Sequence, residues 1–251
     1  MWGSNPRIPE PQSGVLTTSP IPPWTKIVYQ ITCKIASTCC IIWLMKKFYS
    51  ENKDYILNML LVFGTNAFLY FIVKHFIPSY HLITLPLDDK IPLIPFFIIF
   101  YSIWYPYLFV VFYFIFKKDK NKFKSLIKKS ILCAIIADLC FVIYPTMVTR
   151  PEVNGYNSLI SLMLYITYIT DIPVNCFPSL HCTFALLVMY AVTFDKNMNK
   201  VFRILVGIIS PLICLSTVLV KQHSVIDVVG ALFLSCIIYV DFKKKNRRKI
   251  C

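Results

Sequence analysis

Glycine is scarce in this chain, with six in 251 residues. None sits in a run able to cradle a nucleotide phosphate, which removes dinucleotide, flavin and P-loop readings. Charge is scarce too: 15% of residues are charged and 57% are hydrophobic, where a soluble domain of this length carries far more charge. Acidic residues are the rarest class, 12 Asp plus Glu against 26 Lys plus Arg, and no carboxylate cluster stands ready to hold Mg²⁺. The ten cysteines contain no C-x-x-C pair, which argues against zinc. Most of them (Cys33, Cys39, Cys40, Cys133, Cys140, Cys214 and Cys236) fall inside apolar runs, where they read as small packing residues. The sequence therefore predicts no metal and no cofactor.

What is abundant is apolar length, with 20 Phe and 15 Tyr. Seven candidate helices follow one another, roughly at 27–45, 55–77, 93–116, 130–149, 180–195, 202–220 and 224–241, each close to the length that crosses the hydrocarbon core. The fold class expected is all-α, a polytopic helical membrane protein. Residues 1–24, rich in Pro, Ser and Thr, read as a disordered tail and not a signal peptide. Residues 25–50 read as an extra N-terminal membrane helix, which carries Gln30 and Lys34 and either spans or lies in the interface. Residues 55–241 form the main membrane domain, and 242–251 a basic tail. Residues 157–170 suit an interfacial helix, broken by Pro173 and Pro178.

The formal net charge of +14 does not point to nucleic acid. The cations gather in short clusters between apolar runs, where they set topology and meet anionic headgroups. One set of connections holds Lys46, Lys47 and Lys53, the lysines from 117 to 129, Lys196, Lys200, Arg203 and the tail after 242. The other holds only Arg7, Lys26, Lys74, Lys90, Arg150 and Lys221. The lysine-rich set, with the C-terminus, is expected in the cytoplasm, and segments 78–92, 150–179 and 221–223 on the extracytoplasmic or lumenal side.

That second side collects the residues able to do chemistry. Arg150-Pro151, Pro178-Ser179-Leu180-His181 and His223-Ser224-Val225-Ile226-Asp227 each lie at the end of an apolar run. A neutral imidazole attacks phosphorus well at neutral pH. Asp227, four residues past His223, shares its helix face and would fix the tautomer and stabilise the charge that grows on attack. His181 would protonate the leaving alkoxide and then act as base for an incoming water or alcohol. Arg150 offers a bidentate fork to phosphoryl oxygens, with Ser179 and Lys221 as further donors. Lys221 also reads as a surface lysine, and Asp88-Asp89 as part of a solvated loop ahead of a site for a cation or a substrate hydroxyl. Cys176 and Cys182, flanking the second block, read as packing residues ahead of accessible thiols. His75 and His81 read as interfacial anchors. Asp138 lies inside a span, with Lys34 a possible partner.

Arg150-Pro151, Pro178-Ser179-x-His181 and Ser216-x6-His223-x3-Asp227 together resemble the three signature blocks of the type-2 phosphatidic acid phosphatase superfamily, in the same order. The strings around Pro145, Phe177 and Gln222 resemble more closely its branch of inositol phosphorylceramide synthases and sphingomyelin synthases, the inositolphosphotransferase-like members. The resemblance implies a six-helix core and a phosphohistidine intermediate. It implies a lipid phosphatase or phosphotransferase whose partners are a membrane lipid phosphate or phospholipid, a water or alcohol acceptor, and the bilayer. Two positions depart from the superfamily: Ile143 stands where a Lys is usual, and Thr217 where an Arg is usual. A sphingolipid-type synthase is the alternative within that chemistry. A non-enzymatic transporter is the alternative outside it, although no paired half-spans are seen.

Overall fold

The computed structural model describes the backbone of residues 23–76, 79–153 and 157–248, and the side chains of 46–72, 79–153 and 157–240. The expected N-terminal tail, and the side chains of Gln30, Lys34, Cys33, Cys39, Cys40 and His75, lie outside these. The chain divides into two units, Met1–Asn52 and Lys53–Cys251. Helix α1, Pro23–Phe76, runs through both, with one non-helical residue at Asn52 (φ −121°, ψ 16°). In the first unit the described structure is this helix alone up to Asn52, whose side-chain amide donates to the Phe48 carbonyl at 2.7 Å.

Among the described residues, the regular elements of the second unit are helices apart from two very short strands. After the end of α1 come β1 (His81–Leu82), α2 (Pro86–Lys90), a 3₁₀ turn at Pro95–Phe97, α3 (Ile98–Ser102) and α4 (Trp104–Lys118). Then follow α5 (Lys120–Ile143), β2 (Thr146–Met147), α6 (Leu159–Thr170), α7 (Leu180–Thr193), α8 (Lys200–Leu219) and α9 (Val225–Arg248). Among the described residues, three stretches are long and apolar enough to cross a bilayer: Lys46–Ile72, Pro95–Lys118 and Lys200–Leu219. Many of the large apolar side chains that remain exposed, such as Phe68, Phe114, Leu139 and Phe233, lie on helix faces, as lipid-facing surfaces would.

Two expectations about helix ends need correcting. The lysine-rich stretch 117–129 is not a loop. Asp119 ends α4 and caps α5, its carboxylate accepting from Asn121 N at 2.9 Å and Lys122 N at 3.0 Å. The fourth span thus begins at Lys120, ten residues earlier than expected, and stops at Ile143, before Thr149. Lysine is a good helix former, and Lys129 is buried with its ammonium over the Tyr239 ring at 4.6 Å. The second correction concerns 93–116, which is broken where α3 meets α4 at Ile103.

Helix α7 is the hub, packed against α4, α5, α8 and α9. Ala185, Leu187, Val188 and Val192 on it are fully buried. Small and β-branched residues there let four helices approach at once. On its polar end the connections are knit by backbone bonds. His81 N donates to Pro145 O at 2.8 Å, Val148 N to Pro173 O at 3.1 Å and Asn175 N to Thr146 O at 2.7 Å. The buried Thr146 hydroxyl accepts from Cys176 N and Phe177 N, both at 3.0 Å, so the segment leading into α7 has its amides satisfied.

Gly230 on α9 is required by contact, since a Cβ there would sit 2.5 Å from the Phe177 ring. Gly64, also helical, has nothing within 4 Å. Gly230→Ala should destabilise the protein by about 1–3 kcal/mol through overpacking. Gly64→Ala should be neutral or stabilising, by up to about 1 kcal/mol. Thermal unfolding in detergent compares the two. Equal behaviour would show that the Phe177 contact does not constrain α9.

Candidate active site

The turn between α8 and α9 carries His223. Helix α8 ends in a Schellman arrangement: Lys221 N donates to Val218 O at 3.0 Å and Gln222 N to Thr217 O at 2.9 Å. The left-handed position that such an end requires is occupied by Lys221 (φ 56°) where glycine is usual. A side chain there costs about 1–2 kcal/mol, and strain of this kind persists where surroundings hold it. The holding groups are visible. Lys221 Nζ donates to the carbonyls of Asp88 at 2.7 Å and Ile91 at 2.5 Å. In return the Asp88 carboxylate accepts from Val225 N at 2.9 Å and from the Ser224 hydroxyl at 2.6 Å, capping α9. It also accepts from Leu85 N at 2.7 Å.

Asp88 is therefore not a solvated loop residue. It is buried, 8% exposed, because it closes the first turn of α9 and the start of α2 together. Burial pushes its carboxyl up, but the donors from Ser224, Leu85 and Val225 and the Lys221 ammonium outweigh burial and hold it below the ordinary carboxylate range.

From this turn His223 Nδ1 reaches Asp227 Oδ2 at 3.3 Å. Ser224 N donates to the same oxygen at 2.9 Å. Asp227 is fully buried, and its Oδ1 has no partner. Burial disfavours charge on His223. The bonds to Asp227 and to the Cys176 sulfur more than offset it and raise the imidazole well above its ordinary value. Cys176 is buried against this pair, and burial raises its thiol pKa although His223 pulls it down.

His181 begins α7 and faces His223, with ring centroids 5.9 Å apart. Tyr101 stacks on it at 4.7 Å and 25°, and Trp104 lies at 4.3 Å. Trp104 Nε1 donates to the His181 carbonyl at 2.9 Å, and the Tyr101 hydroxyl donates to the Asp171 carboxylate. Both histidines line a cavity of about 670 Å³, with Asp171, Asn175, Cys176 and Gln222 on its polar side and Phe63, Phe71 and Phe141 among its apolar walls. Asn66 Oδ1, both side-chain atoms of Asn175 and Gln222 Nε2 are buried there without partners.

The other three expected residues are placed differently. Ser179 is fully buried and caps α7, its oxygen accepting from Cys182 N at 3.4 Å. Its own amide donates to Asp227 O at 3.2 Å, which ties α7 to α9. Lys221 opens onto a separate small pocket of about 40 Å³ that His223 shares with Asp88 and Asp89. Arg150 lines neither space. Its terminal nitrogens donate to Tyr168 O at 3.1 Å and to Asp171 O, its guanidinium lies over the Tyr168 ring at 4.7 Å, and only Nε is left without a partner. The structure thus unites His181, His223 and Asp227, keeps Ser179 beneath them, and ties both cations to carbonyls. Sequence reasoning missed Tyr101 and Trp104 as neighbours of the site, and read Asp88 as a solvated loop residue or a ligand for a cation or hydroxyl, not as the cap of α9. Cys176 flanks the second block and reads in sequence as packing.

An all-helical protein with spans of membrane length and a paired-histidine site at one end of its hub helix is the class these observations define. A profile of the PAP2 superfamily, the type-2 phosphatidic acid phosphatases, matches residues 74–240. That is more than half of the chain, and the chain belongs to this superfamily. Membership brings with it a helical membrane fold and phosphatase or phosphotransferase activity on lipid phosphates. Comparison with curated proteins and with solved structures gave no match in either case.

Asp88→Ala removes the cap of α9, a loss of about 0.5–2 kcal/mol in stability. It should also lower kcat on the order of tenfold or more with a smaller change in KM, because the His223 turn loses its anchor. Asp88→Asn, which keeps an acceptor for Val225 N, should recover part of the rate. Steady-state kinetics with unfolding curves for both variants provide the check. An Asp88→Ala enzyme at full kcat would remove the anchoring role.

Proposed function

We propose that this protein is an integral membrane phosphotransfer enzyme that works through a phosphohistidine at His223, on the extracytoplasmic or lumenal face, with its C-terminus in the cytoplasm. The observation that carries the reading is the orientation of His223. Asp227 takes Nδ1 at 3.3 Å, which leaves Nε2 as the attacking nitrogen on a ring that lines the cavity opposite His181. Nε2 attacks phosphorus, the P–O bond to the leaving group breaks, and His181 supplies the proton that the alkoxide needs. His181 then removes a proton from water or an alcohol, which attacks phosphorus and frees His223. Asp227 compensates the charge carried by the phosphorylated ring. Arg150 reaches phosphoryl oxygens in this scheme through Nε, or by releasing a carbonyl, while Ser179 caps the helix that carries His181 and Lys221 anchors the turn that carries His223. No step requires a metal ion.

A second reading, transfer to an alcohol as in inositol phosphorylceramide and sphingomyelin synthases, is favoured by two observations. The cavity is far larger than a phosphate and a water, and unpartnered amides of Asn66, Asn175 and Gln222 stand in its wall, groups suited to hydroxyls. The missing cations at Ile143 and Thr217 also suit a phosphodiester with one negative charge better than a monoester with two.

His223→Ala should form no acid-labile phosphoenzyme from labelled lipid phosphate. His181→Ala should slow phosphoenzyme formation by about 10²-fold or more with poor leaving groups and much less with activated esters. Rapid-quench assays with and without alcohol acceptors measure both steps and separate phosphatase from transferase. Full turnover by His223→Ala would eliminate the mechanism.

The pH profile supplies an independent check. The neutral imidazole is the reactive form, and its pKa is raised, so kcat/KM should climb with pH through a limb above the ordinary histidine value of about 6.5. Asp227→Asn removes a cause of the raised value, so the limb should move to lower pH while the plateau rate falls. A limb unchanged in Asp227→Asn would assign it to another group.

A further inference from the structure

Cys176, His223 and Asp227 each place a ligand atom within 4.8 Å of the other two. A sulfur, an imidazole nitrogen and a carboxylate oxygen are the donors that a borderline-soft divalent cation prefers. The 3.3 Å between His223 Nδ1 and Asp227 Oδ2 already fits two corners of a tetrahedron around one zinc ion. The sulfur needs to close from at most 4.8 Å to roughly 3.6 Å, the spacing expected from zinc–sulfur and zinc–nitrogen bond lengths. A second observation points the same way. Asp227 is fully buried and its Oδ1 has no hydrogen-bond partner, an unmet acceptor on one of the three ligand side chains. Thiolate and carboxylate together neutralise a dication, so binding leaves no net buried charge.

We propose that Cys176, His223 and Asp227 form an inhibitory site for a thiophilic divalent cation of the zinc class. The inhibitory consequence rests on His223 being the nucleophile. In the free enzyme the single proton of neutral His223 sits on Nδ1 toward Asp227, and the lone pair is at Nε2. A cation bound to Nδ1 takes that position and leaves the ring proton on Nε2, the nitrogen that attacks phosphorus. The Cys176 thiol gives its proton to solvent, and no electrons are transferred. Inhibition follows from the exchanged tautomer, without the cation entering the place of the phosphate. It therefore lowers kcat with KM unchanged.

The test uses the purified full-length protein in detergent with Zn²⁺ and Cd²⁺ alone. Equilibrium dialysis should show one more equivalent of Cd²⁺ on the unmodified protein than on Cys176→Ala, with loss of one cadmium–thiolate absorption increment. Zn²⁺ should lower kcat of the unmodified enzyme, EDTA should restore it, and the half-inhibiting concentration should rise at least about tenfold in Cys176→Ala. Cys176→Ser supplies the same comparison if the alanine protein does not fold, since binding is read independently of rate. Equal cadmium stoichiometry in the unmodified protein and the folded variants, or equal zinc sensitivity, overturns the site. An extra equivalent of cadmium on a protein that turns over no phosphate ester in EDTA would keep the metal site and overturn the phosphohistidine reading. Turnover with equal stoichiometry would do the reverse.

Discussion

The candidate site depends on how the chain closes the gap between α8 and α9. Two helix ends meet there in surroundings poor in water, and their orphan carbonyls and amides each need a partner. The Thr217 carbonyl takes two, Gln222 N at 2.9 Å and His223 N at 3.0 Å. The first amides of α9 turn to Asp88 and Asp227, not to solvent. Because these partners are backbone groups and two buried carboxylates, the turn has little freedom, and the His223 ring is aimed by the same bonds that terminate the helices. The left-handed Lys221 (φ 56°) belongs to this arrangement. A glycine would adopt the conformation more easily, but only a long cationic side chain reaches back to cap α2 through the Asp88 and Ile91 carbonyls.

The second ring depends on aromatics. His181 emerges at the first turn of α7, where its orientation is set by contact with Tyr101 and Trp104 and by the Trp104 bond to its carbonyl. Tyr101 in turn is held by Asp171, whose carbonyl also holds Arg150. A loop carboxylate, two aromatic side chains from the α3–α4 region and a cation from the segment after β2 thus converge on one imidazole. Such a network positions a ring without spending the donors of the ring itself.

How much of this is legible in the sequence follows from the range of each interaction. His181, His223 and Asp227 stand out because their residue types are costly at the end of an apolar run, and Asp227 is four residues from His223, so local helix geometry predicts their contact. Asp88 does not stand out. Its partners Ser224 and Val225 are 136 and 137 residues away, and a carboxylate among prolines looks the same in sequence whether solvated or buried. Tyr101 and Trp104 are hidden for the opposite reason, lost in a stretch where aromatics are common. The start of α5 was misplaced because hydropathy reports the bilayer layer and not the helix, and Lys120 to Lys129 extend a helix beyond it. Arg150 shows the limit of residue type: its charge and planar fork suit phosphate, yet carbonyls of Tyr168 and Asp171 meet its two terminal nitrogens.

The polarity of α7 ties these pieces together. Its C-terminal end is the cationic end of the unit. Arg203 donates twice to the Thr193 carbonyl, at 3.0 and 2.8 Å, and Lys122 pairs with Asp195 just beyond. Cations there complement the negative end of the helix dipole. Its N-terminal end carries the cap Ser179, His181 and, through the Ser179 amide, the link to Asp227. That is the end at which a helix favours negative charge. The +14 net charge is therefore poorly represented where phosphate chemistry would occur, since Arg150 and Lys221 are already bound to carbonyls. A phosphoryl group at His223 would find its positive potential chiefly in an imidazole proton and in oriented backbone amides. These dipoles are fixed before substrate arrives, which is the condition under which they contribute most to a reaction in a water-poor site.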